Sequence, residues 1–110
     1  MTATHGLSDK TVTGITQVLG RFSEVKKAVL FGSRAKGTHK NGSDIDLALI
    51  GDKLDWRALG RIDSALDDLS LPYCFSLIIF NDRTDSEVAA HIRRVGIPLF
   101  ERSAVAASDL

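Results

Sequence analysis

Two aspartates and a Gly-Ser pair are the residues of this chain best suited to chemistry. Asp44 and Asp46 are two residues apart, so on an extended strand both carboxylates point the same way, with Cα atoms about 7 Å apart. Magnesium prefers oxygen ligands and shares them with phosphates, so this pair suits Mg²⁺ carrying a triphosphate. Upstream, Gly32 admits a close ligand, and the Ser33 hydroxyl can donate to a phosphate oxygen.

Further polar side chains near this motif extend the predicted nucleotide site. Lys36 is expected to stabilise negative charge on the phosphates, Arg34 is a second candidate for that role, and Ser43 is assigned to the nucleotide. A purely structural interpretation treats these residues as a turn and a polar loop. Asp46 argues against it, because an inward carboxylate in an apolar strand is costly unless something pairs with it.

Helix and strand patterns alternate along the chain and place this motif at strand ends. Strands are predicted at residues 27–31, 44–50, 73–80 and 97–100, the last an edge strand because it contains Pro98. Helices are predicted after Ser8 or Asp9, after Asp55, and from a capping box at residues 84–87. This order predicts an α/β (α+β) domain with one sheet over residues 1–102, followed by a frayed tail at 103–110.

Composition narrows the possible classes of protein. The chain has 110 residues, enough for one domain, and its 14 basic and 14 acidic residues cancel. A neutral chain argues against a protein held on long nucleic acid by charge. The longest apolar runs have four residues and the first 25 residues resemble no secretory signal, so we expect no membrane association. A single cysteine excludes an internal disulfide, and we expect a cytoplasmic protein.

The spacing Gly32-Ser33, ten residues, Asp44-x-Asp46 resembles the signature of the DNA polymerase beta–type nucleotidyltransferase superfamily. The chain is most similar to minimal nucleotidyltransferases, small single-domain proteins paired with HEPN-domain toxins, over about residues 8–101. The resemblance implies a small nucleotidyltransferase domain whose mixed sheet has helices on one face and the active cleft on the other. It also implies that Asp44 and Asp46 are catalytic metal ligands.

The resemblance further implies an activity and a partner. A nucleoside monophosphate would pass from Mg²⁺-bound triphosphate, ATP in the first instance, to a hydroxyl of a HEPN-domain protein, with this chain acting as the antitoxin. The family also has a third carboxylate, and the matching position here is Ser76, a poor base. Asp82 lies six residues further, about 20 Å along an extended strand, and is too distant to replace it.

Two alternatives stay open from the sequence. The missing carboxylate favours a catalytically degenerate protein that binds a nucleotide or a partner without transferring anything. A drug-modifying transferase is disfavoured, because such enzymes usually carry an extra helical domain. Of the remaining residues, we expect His39 to be solvated, His91 to face solvent or a partner, and Cys74 and Trp56 to pack inside.

Overall fold

In the computed structural model, which describes residues 6–40 and 42–102, four helices and four strands alternate. Their order is α1 (Asp9–Gly20), β1 (Lys27–Phe31), α2 (Gly32–Lys36), β2 (Ile45–Ile50), α3 (Trp56–Asp67), β3 (Phe75–Ile79), α4 (Ser86–Val95) and β4 (Ile97–Glu101). The predicted α/β class is confirmed, and the predicted tail lies outside the described residues. None of these helices is long and apolar enough to cross a bilayer.

The strands form one mixed sheet in the order β3-β2-β1-β4. β1 is antiparallel to both β2 and β4, while β2 and β3 are parallel. β4 lies at the edge of the sheet, in agreement with the edge strand predicted from Pro98. Because β2 and β3 run in the same direction, both begin at the end of the sheet where β1 finishes. The Gly-Ser turn, the aspartates and the third strand therefore meet at that end.

The two faces of the sheet are covered unequally. One face packs against α1 and α3 and carries the main core, whose largest fully buried side chains include Ile15, Leu19, Leu30, Leu47, Ile62 and Leu66. On the other face, Ile92 of α4 packs against Val29 and Ala48. The prediction of helices on one face is therefore correct for α1 and α3. Helix α4 lies on the other face and covers part of the cleft.

The inward face of α3 differs at one position from the sequence prediction. Ile62 and Leu66 are buried as expected, but Trp56 is 75% exposed. With 3.6 residues per turn, Trp56 is rotated about a third of a turn from Ile62, whereas Ala58 lies one turn before it on the same face. Ala58 is accordingly the buried residue in the first turn, and the prediction that Trp56 packs inside is wrong.

Helix caps agree with the sequence in two cases and differ in the third. The side chains of Ser8 and Asp55 accept backbone N–H groups at the starts of α1 and α3, as predicted. At α4 the cap is Asp85, whose carboxylate accepts hydrogen bonds from the N–H groups of Glu87 and Val88. The Thr84 hydroxyl instead accepts the N–H of Asn81 and closes the preceding turn. The predicted capping box therefore does not form: the N-cap lies one residue later, and Val88, three residues after Asp85, has no polar side chain to reciprocate.

Cys74 is exposed, and the prediction that it packs inside is wrong. Strand β3 begins at Phe75, one residue later than Cys74, and Phe75 packs against the main core. Successive side chains of extended backbone point to opposite sides, so the thiol points away from that core.

Candidate active site

Asp46 occupies the centre of the candidate site because of the strand register. It pairs with Phe31, the last residue of β1, on one side and with Ser76 of β3 on the other. Residues directly opposite in neighbouring strands project from the same face of the sheet. Asp46 is therefore flanked by the end of β1 and by Ser76 on the cleft face, and Asp44 lies just before β2.

Gly32 and Asp46 are in close contact, and this contact requires a glycine. A Cβ atom on Gly32 would collide with Oδ2 of Asp46. Gly32 also has a φ of +75°, in the left-handed region that other residues adopt at a cost. The turn from β1 into α2 therefore brings its backbone directly against the aspartate.

The electrostatics of the pair favour a bound cation. Partial burial raises the pKa of the Asp46 carboxyl, and repulsion by Asp44 raises it further. A positive charge on the imidazole of His91 would act in the opposite direction. The carboxylate of Asp44 is thus near enough to make the ionised pair unfavourable by itself. A divalent cation between the two would relieve both the burial cost and the repulsion.

The two carboxylates fit magnesium better than a metal held by protein alone. Within residues 6–40 and 42–102, no three His, Cys, Asp or Glu side chains form a group that could hold a metal ion. Magnesium is usually bound through one or two carboxylates, with substrate phosphates and water as its other ligands. Asp44 and Asp46 therefore fit a magnesium ion that arrives with a nucleotide.

His91 is part of this site, although the sequence placed it towards solvent or a partner. Its side chain is half-buried on α4, and its Nε2 accepts a hydrogen bond from the N–H of Gly32 at 3.0 Å. Its ring also meets the ring of Phe31 edge-on, with 6.1 Å between centroids. The prediction that His91 faces solvent or a partner is wrong, because α4 packs on the cleft face and brings His91 to the Gly-Ser turn.

The remaining residues of α2 are placed differently from one another. Ser33 is half-buried next to Gly32, and Lys36 is exposed in the last turn of the helix. Arg34 is buried, with its guanidinium 4.6 Å from the centre of the Tyr73 ring. Ser33 and Lys36 therefore remain accessible for a ligand, whereas Arg34 supports the protein interior and is not the phosphate contact that the sequence offered as a candidate.

Ser43 is engaged within its own loop. Its hydroxyl accepts the N–H of Lys40 at 2.8 Å, and its carbonyl oxygen accepts Nε–H of Arg34 at 3.1 Å. These bonds fix the loop just before Asp44. His39 in the same loop is half-buried, and its Nδ1 is buried without a hydrogen-bond partner among the described residues, so the prediction of a solvated side chain is wrong.

Ser76 stands where the third carboxylate was expected. It is exposed and pairs with Asp46 in the parallel register of β2 and β3. Asp82 lies beyond the end of β3, in the loop before α4. The cleft face therefore has two aspartates and a serine side by side, in the register that the sequence predicted.

Comparison with curated proteins gives one relative of clear similarity. The chain is 36% identical over 73 residues to a protein of Haemophilus influenzae named "Probable protein adenylyltransferase MntA". The matched segment covers 66% of this chain and 63% of that protein. The chain therefore spans less than two thirds of the length of this relative.

Solved structures with the same fold include toxin–antitoxin complexes. A chain of the MntA–HepT pair superposes with a TM-score of 0.62 at 22% identity, covering 86% of this chain and 73% of that one. A chain of a toxin–antitoxin complex with AMP-PNP superposes with a TM-score of 0.61 at 24% identity, covering 84% of this chain and 74% of that one. A chain of the complex of tri-AMPylated Shewanella oneidensis HEPN toxin with MNT antitoxin superposes with a TM-score of 0.58 at 20% identity, covering 94% of this chain and 77% of that one. At these identities the similarity establishes the fold.

The family model for "Polymerase beta, Nucleotidyltransferase" matches residues 13–105, which is most of the chain. The match includes the Gly-Ser turn, both aspartates and all four strands of the sheet. It agrees with the resemblance that the motif indicated and with the fold of the solved relatives. The chain belongs to the polymerase beta nucleotidyltransferase family.

Proposed function

We propose that this protein transfers a nucleoside monophosphate from a magnesium-bound nucleoside triphosphate to a hydroxyl group of a partner protein. The observation that carries the proposal is the position of Asp46, packed against Gly32 and raised in pKa by burial and by Asp44. Ionising both carboxylates is unfavourable when no cation is bound, and a bound cation makes the doubly ionised pair favourable. ATP is the proposed donor, because the curated relative that is 36% identical to this chain is named as a probable protein adenylyltransferase.

Each residue of the site has a proposed role in this reaction. Asp44 and Asp46 would hold Mg²⁺, which neutralises charge on the triphosphate and on the leaving pyrophosphate. The Ser33 hydroxyl would donate to a phosphate oxygen, and Lys36 would stabilise negative charge that develops during transfer. Gly32 has no side chain and would let the backbone of the turn approach the nucleotide closely. Ser43 would shape the loop beside the nucleotide.

The proposed reaction is a displacement at the α-phosphorus. The acceptor oxygen forms a bond to that phosphorus while the bond to the bridging oxygen breaks, and pyrophosphate leaves. The proton of the acceptor hydroxyl must pass to a base. Ser76 is neutral near pH 7 and is a poor base, so we propose that the proton passes to water or to a group of the partner.

The proposed partner is a HEPN-domain protein, with this chain as its antitoxin. Three observations support this assignment: the similarity to MntA, the shared fold with the MntA–HepT complex, and the AMPylated state of the toxin in the Shewanella complex. The acceptor would be a tyrosine hydroxyl of the partner. The proposed location is the cytoplasm, where ATP is available and where a lone cysteine such as Cys74 stays reduced.

A second candidate function rests on Ser76. If no other group accepts the proton, the protein binds nucleotide and partner without transferring anything, and silences the partner by occupying it. The strand register supports this alternative as well, because it places a neutral hydroxyl beside Asp46.

Label transfer separates the two functions. The protein is incubated with a HEPN-domain protein as the candidate partner, Mg²⁺, and ATP labelled either at the α- or at the γ-phosphorus. The proposed transferase labels the partner from α-labelled ATP alone, and the label is absent with EDTA or with the Asp44→Asn, Asp46→Asn double variant. A copurifying complex that stays unlabelled supports the second candidate, and absence of both nucleotide binding and copurification contradicts the first and the second.

A further inference from the structure

His91 makes a contact with the Gly-Ser turn that the nucleotidyltransferase motif does not include. The N–H of Gly32 donates to Nε2 of His91, which lies 59 residues further along the chain. Ile92, the next residue, is buried against Val29 and Ala48 and so anchors α4 on the cleft face. The imidazole is therefore presented to the turn by a packed helix.

We propose that His91 is a positioning residue, which fixes the Gly32 amide and so orients the Gly32–Ser33 turn for the nucleotide. This inference rests on the proposed function, because it assigns His91 a role in binding the nucleotide at the same site. The role is indirect: His91 acts on the phosphate-binding turn through Gly32.

The conformational freedom of Gly32 explains why such a contact is needed. A glycine with a φ of +75° populates several backbone conformations easily, so the turn is not fixed by its own sequence. The carboxylate of Asp46 occupies the space where a Cβ on Gly32 would lie, and His91 accepts a hydrogen bond from the Gly32 amide. The hydrogen bond restrains the peptide group between Phe31 and Gly32, and the packing of Asp46 limits the room around Gly32, so the backbone that leads into Ser33 is restrained.

The bond also determines which groups face the phosphates. An accepting Nε2 carries no proton, so the imidazole is the tautomer protonated at Nδ1. The Gly32 N–H is satisfied within the protein and is not offered to the ligand. Gly32 then serves by allowing the close approach of a ligand, and donation to a phosphate falls to the Ser33 hydroxyl and the groups that follow it.

Three variants test the inference through affinity for MgATP. We expect His91→Ala to bind MgATP about fivefold to tenfold more weakly, the range for losing one partly buried hydrogen bond. His91→Gln, whose side-chain oxygen can accept in place of Nε2, should restore affinity to within about twofold. Ile92→Val is the matched control, because it loosens the packing of α4 and leaves the hydrogen bond in place.

Transfer kinetics provide a readout that a purely structural role would not move, and NMR tests the hydrogen bond itself. In the label-transfer assay, the KM for ATP should rise in His91→Ala, with kcat at saturating ATP changed by less than about twofold. In ¹⁵N spectra of the protein without nucleotide, the Gly32 amide should lose its downfield shift and its protection from exchange in His91→Ala, and keep both in Ile92→Val.

The outcomes separate this inference from the proposed function. The positioning role would be overturned if His91→Ala bound MgATP as tightly as the wild type. It would also be overturned if Ile92→Val weakened MgATP binding as much as His91→Ala does. An unchanged Gly32 amide in His91→Ala would overturn the hydrogen bond itself. A wild type that binds no nucleotide while His91→Ala still shifts the Gly32 amide would overturn the proposed function and confine His91 to holding the turn.

Discussion

Ser76 lies directly beside Asp46 in the parallel pairing of β2 with β3, and both side chains project from the cleft face. The pairing leaves a neutral, exposed hydroxyl at the position where related nucleotidyltransferases are expected to carry a third carboxylate. The site thus combines the two aspartates that we propose as metal ligands with a serine where the general base was expected. Binding of the nucleotide and transfer of its monophosphate should therefore respond differently to substitution at residue 76.

Ser76→Asp should raise the rate of transfer to the partner. A positioned general base typically contributes 10²–10⁴-fold, and an aspartate next to Asp46 could take that role. Affinity for MgATP should stay within a few-fold, because an added metal ligand and added charge repulsion partly offset each other. The measurement is the initial rate of label transfer from α-labelled ATP at saturating partner.

Ser76→Ala is the control for this substitution. It should transfer at the wild-type rate, because the hydroxyl is not expected to accept the proton. A wild type that already transfers rapidly, with no gain in Ser76→Asp, would show that another group supplies the base. A large loss in Ser76→Ala would show that the hydroxyl itself takes part.

Gly32→Ala should abolish nucleotide binding and lower stability. Its Cβ would collide with Oδ2 of Asp46, so either the turn or the aspartate must move. Gly37→Ala is a close control: Gly37 also has a positive φ, of +80°, but an added Cβ there has nothing within 4 Å. That control should cost about 1–2 kcal/mol from backbone conformation alone and leave MgATP affinity unchanged. Equal loss of binding in both variants would contradict the account, and calorimetric titration provides the comparison.

Asp46→Asn should stabilise the protein at neutral pH when no metal or nucleotide is present. The folded pKa of Asp46 is raised, so the ionised carboxyl costs stability once the pH exceeds that value. Below the unfolded pKa of about 3.9, the aspartate is protonated in both states and the cost disappears. The gain in the free energy of unfolding should therefore be largest near pH 7 and vanish below about pH 4, as measured by urea denaturation.

Asp63→Asn, on the exposed side of α3, is the control for this effect. It should change stability little at either pH. A decrease in stability of Asp46→Asn at pH 7 would mean that the folded protein already stabilises the ionised carboxylate with a positive group, and the argument for a required cation would fail.

The central motif was predictable because its determinants are local in the sequence. Alternation along residues 44–50 places both aspartates on one side, and the Gly-Ser pair ends a strand of apolar residues. The position of Ser76 followed from the resemblance to the family, which has a carboxylate on the third strand, and the structure pairs Ser76 with Asp46. Period-two patterns constrain register strongly where one face is buried, since a slip of one residue would expose that face.

Other features depended on tertiary contacts that no local pattern contains. The bond between Gly32 and His91 joins residues 59 apart and exists because α4 packs on the cleft face. Burial of Arg34 beneath Tyr73 similarly required knowing which loop covers it. The exposure of Trp56, by contrast, follows from helix periodicity, because this residue is rotated about a third of a turn from Ile62, so the local pattern was sufficient and the prediction misapplied it.

The central claim is that Asp44 and Asp46 bind a nucleotide through magnesium, and the thermal stability of the protein with ATP tests it most directly. At 100 times its dissociation constant, a ligand stabilises the folded state by about 2.7 kcal/mol, which raises the melting temperature measurably. We expect this shift with ATP and Mg²⁺ together, no shift with ATP in EDTA, and no shift in either Asp44→Ala or Asp46→Ala. An equal shift in EDTA, or in the double variant, would contradict it.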